Sequence, residues 1–120
     1  MNVRSSKAKG RRLQNNIRDI LRKTFPQLEE DDIKSQTMGM TGEDVVLSPA
    51  AKKIIPYSFE CKNVERLNVW QAIEQAESNC EDRTPVVVMK RNRTGIYVVF
   101  NLDKFIKLIG EKDDTQNKKP

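Results

Sequence analysis

Three residues in the middle of the chain have side chains that could act together on a phosphate ester. Asp44 heads one apolar run, and Glu60 and Lys62 stand two residues apart at the end of the next. Because successive side chains of a strand point to opposite faces, Glu60 and Lys62 share one face with Ser58, while the alternating apolar residues enter a core. Hairpin-like pairing of the two runs would bring Asp44 near Glu60. The pattern therefore predicts two carboxylates and one ammonium lining a cleft.

Two neighbouring carboxylates favour a bound cation. They repel each other, which raises a pKa and lowers stability unless a cation lies between them. Mg²⁺ suits such a pair because it takes one or two carboxylates and keeps water and phosphate oxygens as its other ligands, and we expect Mn²⁺ to substitute for it. Lys62 would orient or help deprotonate a metal-bound water, or neutralise charge that develops at the phosphorus. The three residue types together fit phosphodiester hydrolysis.

Spacing alone does not separate this chemistry from ordinary surface charge. The chain has a second acid-x-Lys sequence, Asp32-Ile33-Lys34, in a polar stretch where a solvated charge run is the simpler interpretation. The three candidate residues could likewise be strand-end charges in water, with a weak surface pair between them. Their position at the ends of two apolar runs is what favours a site.

The composition limits the classes of protein that the chain can belong to. Its 120 residues fit one domain, and a net charge of +5 with a pI near 9.3 favours a polyanionic partner. There is no histidine, which excludes His-based catalytic triads and His-containing zinc sites. With no secretory-type segment at the start, we expect Cys61 and Cys80 to be reduced thiols. No apolar run approaches the length of a membrane span, so we expect a cytoplasmic protein, without an organic cofactor.

Periodicity along the chain predicts a small α/β domain. Apolar residues at helical spacing predict helices at residues 13–25, 67–80 and 102–109. Alternating or continuous apolar runs predict strands at residues 44–47, 57–62, 85–91 and 96–101. A short capped turn is expected at 48–53, and the polar stretch 27–42 is expected to be a connecting loop. The order α-β-β-α-β-β-α predicts a small central mixed β-sheet flanked by helices.

The two ends of the chain are expected to lie outside this domain. Residues 1–12 carry five basic residues and no acid, which predicts a flexible basic arm. The domain itself is expected to cover residues 13–110, with Gly110 ending the last helix. Residues 111–120 are expected to be a charged, disordered tail.

The order of these motifs resembles the PD-(D/E)XK nuclease superfamily. The pattern runs from Gly42-Glu43-Asp44 through Glu60-Cys61-Lys62 to a glutamine-bearing helix, and it covers about residues 10–105. It is most similar to small single-domain members, such as archaeal-type Holliday junction resolvases, virus-type replication-repair nucleases and short phage endonucleases. The resemblance implies a restriction-endonuclease-like core.

The same resemblance implies a role for each residue of the motif. Asp44 and Glu60 would be metal-binding carboxylates, the backbone carbonyl of Cys61 a further ligand, and Lys62 the catalytic lysine. Many family members also place a glutamine on the following helix beside the active site. Gln71 and Gln75 lie one turn apart there, and Gln75 is the preferred candidate, with ordinary helix surface as the alternative for both.

Two positions depart from the superfamily pattern. Several relatives carry a glutamate on the first helix, where this chain has the amides "QNN" at 14–16 and Asp19 as its only acid. The residue before Asp44 is Glu43 rather than the proline of the superfamily name. The site would therefore bind its metal with fewer charges, or use Glu43 as a further ligand.

A nuclease also needs cations that track the nucleic-acid backbone. The candidates are the basic residues of the N-terminal arm and of the loops around the predicted cleft: Lys9, Arg11, Arg12, Lys52, Lys53, Arg66, Lys90, Arg91 and Arg93. A solvated charge is the alternative for each of them. Trp70, the sole tryptophan, could stack on a base, lie at a dimer contact or be partly buried in the core.

These expectations lead to one function and two rivals. We expect a Mg²⁺-dependent DNA endonuclease in a bacterial or phage-infected cell. Selectivity for branched DNA would call for a homodimer that presents two active sites. The first rival is a catalytically inactive nucleic-acid-binding domain that keeps the nuclease fold, which the missing first-helix acid favours. The second is a protein-interaction module that uses Trp70.

Overall fold

The structure, a computed structural model, describes the backbone of residues 3–117 and the side chains of residues 5–111. The helices are α1 (Val3–Thr24), α2 (Pro49–Ile54), α3 (Val69–Asn79) and α4 (Leu102–Asn117). The strands are β1 (Ile33–Ser35), β2 (Val45–Leu47), β3 (Tyr57–Asn63), β4 (Thr84–Lys90) and β5 (Tyr97–Val99). A 3₁₀ turn at Glu30–Asp32 precedes β1. The prediction of an α/β domain with a mixed sheet and flanking helices is confirmed.

The strands form two small sheets rather than the single sheet predicted from the sequence. β1 and β2 pair antiparallel, with Ile33 opposite Leu47. In the second sheet β4 is central, parallel to β3 and antiparallel to β5. The main-chain N–H of Asp44, just before β2, donates to the carbonyl of Phe59 in β3 at 3.0 Å. This contact brings β2 beside β3 although the two strands do not form a continuous ladder.

The central strand β4 is covered on both faces, as its uninterrupted apolar run predicted. Val86 and Val88 are buried in the same cluster as α1 residues, whereas Val87 is buried against α3. The two helices therefore lie on opposite sides of the three-stranded sheet. Cys61 joins the α1-side cluster, and its thiol is free.

Local sequence signals explain where three of the helices lie. α1 buries Leu13, Ile17 and Leu21, which are four residues apart and so share one face. α2 starts with Pro49 after Ser48, whose side chain accepts the Ala51 N–H. In the same way α3 is capped by Asn68 and buries Ala72 and Ala76.

The structure differs from the sequence-based expectation at both ends of the domain. The expected flexible arm is wrong for residues 3–12, which form the start of α1. Lys9 explains the difference, because its side chain is buried and its carbonyl accepts a hydrogen bond from Asn63 at 3.1 Å. At the other end α4 continues past Gly110 to Asn117, since Gly110 does not adopt the positive φ that ends helices. Residues 1–2 and 118–120, which belong to the expected arm and tail, lie outside the described residues.

β1 was not predicted, because residues 27–42 read as a polar loop. Its residue Ile33 is completely buried against α1 and β2.

None of the helices in the described range is both long and apolar enough to cross a membrane.

Candidate active site

Asp44 is fixed beside β3 by two hydrogen bonds. Its main-chain N–H donates to Phe59, and its Oδ2 accepts the N–H of Cys61 at 2.6 Å. Gly42, two residues earlier, has φ of +107°, a conformation that favours glycine. The turn at Gly42 and the two hydrogen bonds hold the Asp44 carboxylate at the edge of the strand that carries Glu60 and Lys62.

Glu60 is almost completely buried, with 3% of its surface exposed. Its Oε2 lies 3.5 Å from the Lys62 Nζ, and its Oε1 is buried with no hydrogen-bond partner among the described residues. The Lys62 side chain keeps 28% of its surface exposed. The ammonium therefore lies at the solvent edge and the carboxylate below it.

The electrostatics of the Asp44 and Glu60 carboxylates favour protonation of the pair when no cation is bound. Burial raises the pKa of Asp44, against the hydrogen bond from the Cys61 N–H, the attraction of Lys62 and a hydrogen bond with the Glu60 side chain. Burial and then the Asp44 carboxylate raise the pKa of Glu60 to about 7, and the Lys62 ammonium opposes them. The Cys61 thiol is also buried, which raises its pKa and leaves it a poor nucleophile.

The donor set fits a hard cation that needs few protein ligands. The described residues contain no group of three or more His, Cys, Asp or Glu side chains that could hold a metal ion. They do bring two carboxylates together and leave the buried Glu60 Oε1 unpaired. Mg²⁺ is compatible with this set, because it commonly takes one or two carboxylates and completes its shell with water and phosphate oxygens.

The first helix contributes an amide to the site. Gln14 is buried, and its Nε2 donates to the carbonyls of Asp44 at 3.0 Å and Gln36 at 3.3 Å. Several relatives in the superfamily carry a glutamate where this chain has amides at 14–16. Of these three residues, Gln14 is the one that contacts the Asp44 main chain. It supports the backbone of the site and adds no charge.

Glu43 takes part in a buried ion pair. Its Oε2 accepts hydrogen bonds from Arg83 at 2.8 Å and from the Ser58 hydroxyl at 2.9 Å, and its Oε1 accepts the Leu47 N–H at 3.5 Å. Arg83 also donates to the Tyr57 carbonyl at 3.2 Å. Both carboxylate oxygens of Glu43 thus have partners, so the residue considered as an extra metal ligand instead ties β2 to β3.

Two residues of this environment were missed in the sequence. Arg83 precedes β4 and is 40 positions from Glu43, so no local pattern indicated their pairing. Asn79, the last residue of α3, lies close enough to Glu60 to lower its pKa, and its Nδ2 donates to the Gly42 carbonyl at 3.3 Å. Asn79 continues the series of Gln71 and Gln75 at steps of four, which is a signal that could have found it.

Gln71 and Gln75 themselves are exposed on α3. The side chain that reaches Glu60 from this helix is Asn79, one turn beyond Gln75. The structure therefore brings Asp44, Glu60 and Lys62 together and places Asn79 where Gln75 was expected.

The expected nucleic-acid-binding residues fall into three groups. Lys9 was expected at the surface. It is instead buried, and its ammonium pairs with Glu65 at 3.6 Å. Lys52 pairs with Glu81 at 3.0 Å, and the ammonium of the half-buried Lys90 donates to the Arg91 carbonyl. The others are exposed: Arg11, Arg12, Lys53, Arg66, Arg91 and Arg93.

No protein-family model matches the chain, and comparisons with curated proteins and with solved structures gave no match either.

Proposed function

We propose that the chain is a metal-dependent DNA endonuclease of the PD-(D/E)XK type. The observation that carries the proposal is the close pair of carboxylates: Asp44, fixed by the Cys61 N–H, repels the buried Glu60 below the Lys62 ammonium. Two largely buried carboxylates at this separation are costly, and a cation shared between them would remove that cost. β2, β3 and β4 with α1 and α3 would form the restriction-endonuclease-like core.

Asp44 and Glu60 would hold the Mg²⁺, with the carbonyl of Cys61 as a third ligand. The N–H and C=O of one strand residue point to the same edge, and the Cys61 N–H already donates to Asp44. The Cys61 carbonyl therefore faces the Asp44 side of β3. Bound here, the metal would supply Lewis-acid activation of water and of the phosphate.

Lys62 is the residue that acts on the attacking water or on the phosphate. Its ammonium lies at the solvent edge of the site, within reach of a substrate that approaches the carboxylates. There the ammonium orients the water or offsets the negative charge that develops on the phosphoryl oxygens. Gln14 and the Cys61 N–H keep the Asp44 side in place during this step.

The exposed arginines on α1 and around the β4–β5 turn supply the phosphate-binding surface. Arg11, Arg12, Arg91 and Arg93 are exposed, and their charges suit contacts with the DNA backbone. Such contacts do not read bases, so the substrate would be selected by shape, with branched DNA as one candidate. A DNA substrate also fits a cytoplasmic location in a bacterial or phage-infected cell.

A second candidate function is a catalytically inactive nucleic-acid-binding domain with the same fold. Gln14 favours it, because the first helix offers an amide where a further carboxylate would strengthen metal binding. The mutually repelling carboxylates of the half-buried Asp44 and the buried Glu60 disfavour it, since a domain that only binds phosphates gains nothing from two carboxylates.

The test is cleavage of labelled single-stranded, duplex, flap and four-way-junction DNA with Mg²⁺, Mn²⁺ or EDTA. We expect cleavage that requires metal and is lost in Asp44→Asn, which keeps an acceptor for the Cys61 N–H but removes the charge. Binding without cleavage in every metal would establish the inactive domain. Cleavage that Asp44→Asn retains would place the activity elsewhere.

A further inference from the structure

A pocket opens at the end of β4, between the loop that follows β3 and the turn that joins β4 to β5. Its volume is about 340 Å³, which lies in the range of sites that bind small organic groups. The apolar side chains of Val64, Leu67 and Met89 line it together with the ring of Tyr97, and we call it the Tyr97 pocket. A flat aromatic group of moderate size fits such a space.

The Tyr97 pocket lies on the same face of the sheet as Lys62. In the strand register Lys62 is opposite Met89, and Met89 is opposite Tyr97. Directly opposite residues of neighbouring strands point to the same face, so these three residues form one row across the sheet. Because strands are about 4.8 Å apart, the backbone of Tyr97 lies about 10 Å from that of Lys62. Successive phosphates of one strand are about 3.4 Å apart along a DNA helix, so this separation corresponds to about three nucleotides.

The side chain of Tyr97 is available to a ligand. Tyr97 is 63% exposed, although its neighbour Met89 packs against the cluster on the α3 side of the sheet. Every base has a π-face, and an exposed aromatic side chain beside cations is a typical stacking platform for single-stranded nucleic acid. The ring and the apolar lining together suit a nucleobase.

The charges of the pocket suit the phosphates that accompany a base. Lys90 and the exposed Arg91 belong to its lining. The acid in the lining, Glu65, is already engaged, because its Oε2 lies 3.6 Å from the Lys9 Nζ and accepts the Asn92 N–H at 2.6 Å. These contacts offset the charge of Glu65, so the two cations of the lining determine the local potential and attract a polyanion.

The hydrogen bonds around the pocket hold it open before any ligand binds. The bond from the Asn92 N–H to Glu65 joins the β4–β5 turn to the loop after β3. Within the turn, Thr94 Oγ1 accepts the Arg91 N–H at 3.2 Å. The two sides of the pocket are thus fixed relative to each other, and a ligand needs to order little of the chain.

We propose that the Tyr97 pocket binds one unpaired base of a DNA strand, within about three nucleotides of the phosphate at Lys62. A base inside a duplex is stacked and paired, so it enters a pocket only after it has left the stack. The pocket therefore favours DNA with an unpaired segment, such as a flap or a single-stranded tail, over a fully paired duplex or four-way junction. The phosphate at Lys62 rests on the proposed function, whereas capture of the base does not require cleavage.

The experiment is DNA binding by fluorescence anisotropy, with each variant made in the full chain that carries Asp44→Asn to prevent cleavage. The probes are a labelled duplex and the same duplex with a short single-stranded tail. The tailed duplex should bind about tenfold more tightly. Tyr97→Ala should remove this preference, and Tyr97→Phe, which keeps the ring, should retain it. The matched control is Trp70→Ala, a truncation of an aromatic residue that is 77% exposed outside the pocket, and it should also retain the preference.

An abasic scan of the tail tests the contact between base and ring itself. Removing one base at a time keeps every phosphate, so the charge of the probe is unchanged. Loss of the base at one position should weaken binding about tenfold and should have no further effect on Tyr97→Ala, because both changes remove the same contact. A tail preference that Tyr97→Ala retains would overturn the proposal. Abasic losses that are as large in Tyr97→Ala would also overturn it.

Cleavage by the chain with its native Asp44 separates this proposal from the proposed function. Tyr97-dependent binding of the tail without cleavage in Mg²⁺ or Mn²⁺ would support the pocket and reject the nuclease. Metal-dependent cleavage with equal rates on paired and tailed DNA, unchanged in Tyr97→Ala, would support the nuclease and overturn the pocket.

Discussion

The Oδ2 of Asp44 accepts the main-chain N–H of Cys61 at 2.6 Å, which joins the loop before β2 to the middle of β3. Cys61 stands between Glu60 and Lys62, so this one bond sets the position of Asp44 relative to both. The geometry does not depend on a flexible side-chain pair at the surface, since the backbone of β3 is held by its seven-residue pairing with β4. A carboxylate held in this way is preorganised before any ligand binds.

The stability of the metal-free protein should fall as the pH rises toward 7. Burial and the Asp44 carboxylate raise the pKa of Glu60 from 4.5 to about 7, so between these values the native state holds a proton that the unfolded chain has lost. The free energy of unfolding then decreases with pH and levels off above about pH 7. Burial raises the pKa of Asp44 as well, which acts in the same direction.

Thermal unfolding in EDTA from pH 5 to 8 checks this dependence. Glu60→Gln should remove most of the decrease, because the amide does not titrate. Glu74→Gln, on the exposed side of α3, is the control and should keep the slope of the parent. A stability that rises with pH in this range would show that Glu60 is ionised in the native state.

Breaking the buried pair of Glu43 and Arg83 should destabilise the fold. Arg83→Met leaves the Glu43 carboxylate buried with the Ser58 hydroxyl and the distant Leu47 N–H, which should cost about 3 kcal/mol in the free energy of unfolding. Adding Glu43→Gln removes the unpaired charge and should recover part of the loss. Urea denaturation measures both variants.

The control for this pair is an exposed one. Arg18 pairs with Asp19 at 2.9 Å on α1, where the Asp19 side chain is 61% exposed. Arg18→Met should change the stability by less than about 1 kcal/mol. A similar loss of stability in Arg83→Met and Arg18→Met would mean that burial does not make the Arg83 pair more important for stability than an exposed pair.

Asn79 should matter for cleavage, and Gln75 should not. Asn79 approaches Glu60 and ties α3 to the Gly42 carbonyl, whereas Gln75 is exposed one turn earlier. We expect Asn79→Ala to lower the single-turnover cleavage rate about tenfold, as for the loss of a positioning contact. Gln75→Ala should stay within twofold of the parent, and the opposite order would restore Gln75 to the site.

The exposed arginines of the β4–β5 turn should contribute to DNA binding, and this contribution should fall as the salt concentration rises. The double variant Arg91→Ala with Arg93→Ala should bind DNA more weakly. The negative slope of the log of the association constant against log salt should become shallower by about 2. Lys52→Ala is the control, because its ammonium is already paired with Glu81 at 3.0 Å. Fluorescence anisotropy with a labelled duplex and Asp44→Asn protein measures binding without cleavage. An equal change of slope in the control would show that the turn is not a preferred contact.

The strands and helices with strong local signals were predictable from the sequence. β3, β4 and α3 lie within two residues of their predicted bounds, because apolar periodicity is a local feature. β1 and the start of α1 were not predictable. Ile33 is buried and Lys9 is held through contacts with distant residues, which no window of the sequence contains.

The candidate site was predictable only in part, for the same reason. The alternation of β3 placed Glu60 and Lys62 on one face, and the adjacent run placed Asp44 near them. Two residues on the polar face of β3, Ser58 and Glu60, proved buried rather than open. The Ser58 hydroxyl donates to Glu43, which is also paired with Arg83, whereas Lys62 stays partly exposed. Gln14 reaches Asp44 from α1, and Arg83 reaches Glu43 from the loop before β4, and both contacts depend on tertiary packing alone.

The most direct test of the account compares the lysines of the two acid-x-Lys sequences in the chain. Lys62 lies 3.5 Å from the buried Glu60, whereas Lys34 is exposed on β1 and follows Asp32 by two residues. We would measure single-turnover DNA cleavage with Mg²⁺ for the parent, Lys62→Met and Lys34→Met. The account predicts a loss of about a hundredfold or more for Lys62→Met and a change of less than twofold for Lys34→Met. Equal rates in all three proteins would contradict the assignment of Asp44, Glu60 and Lys62 as the active site.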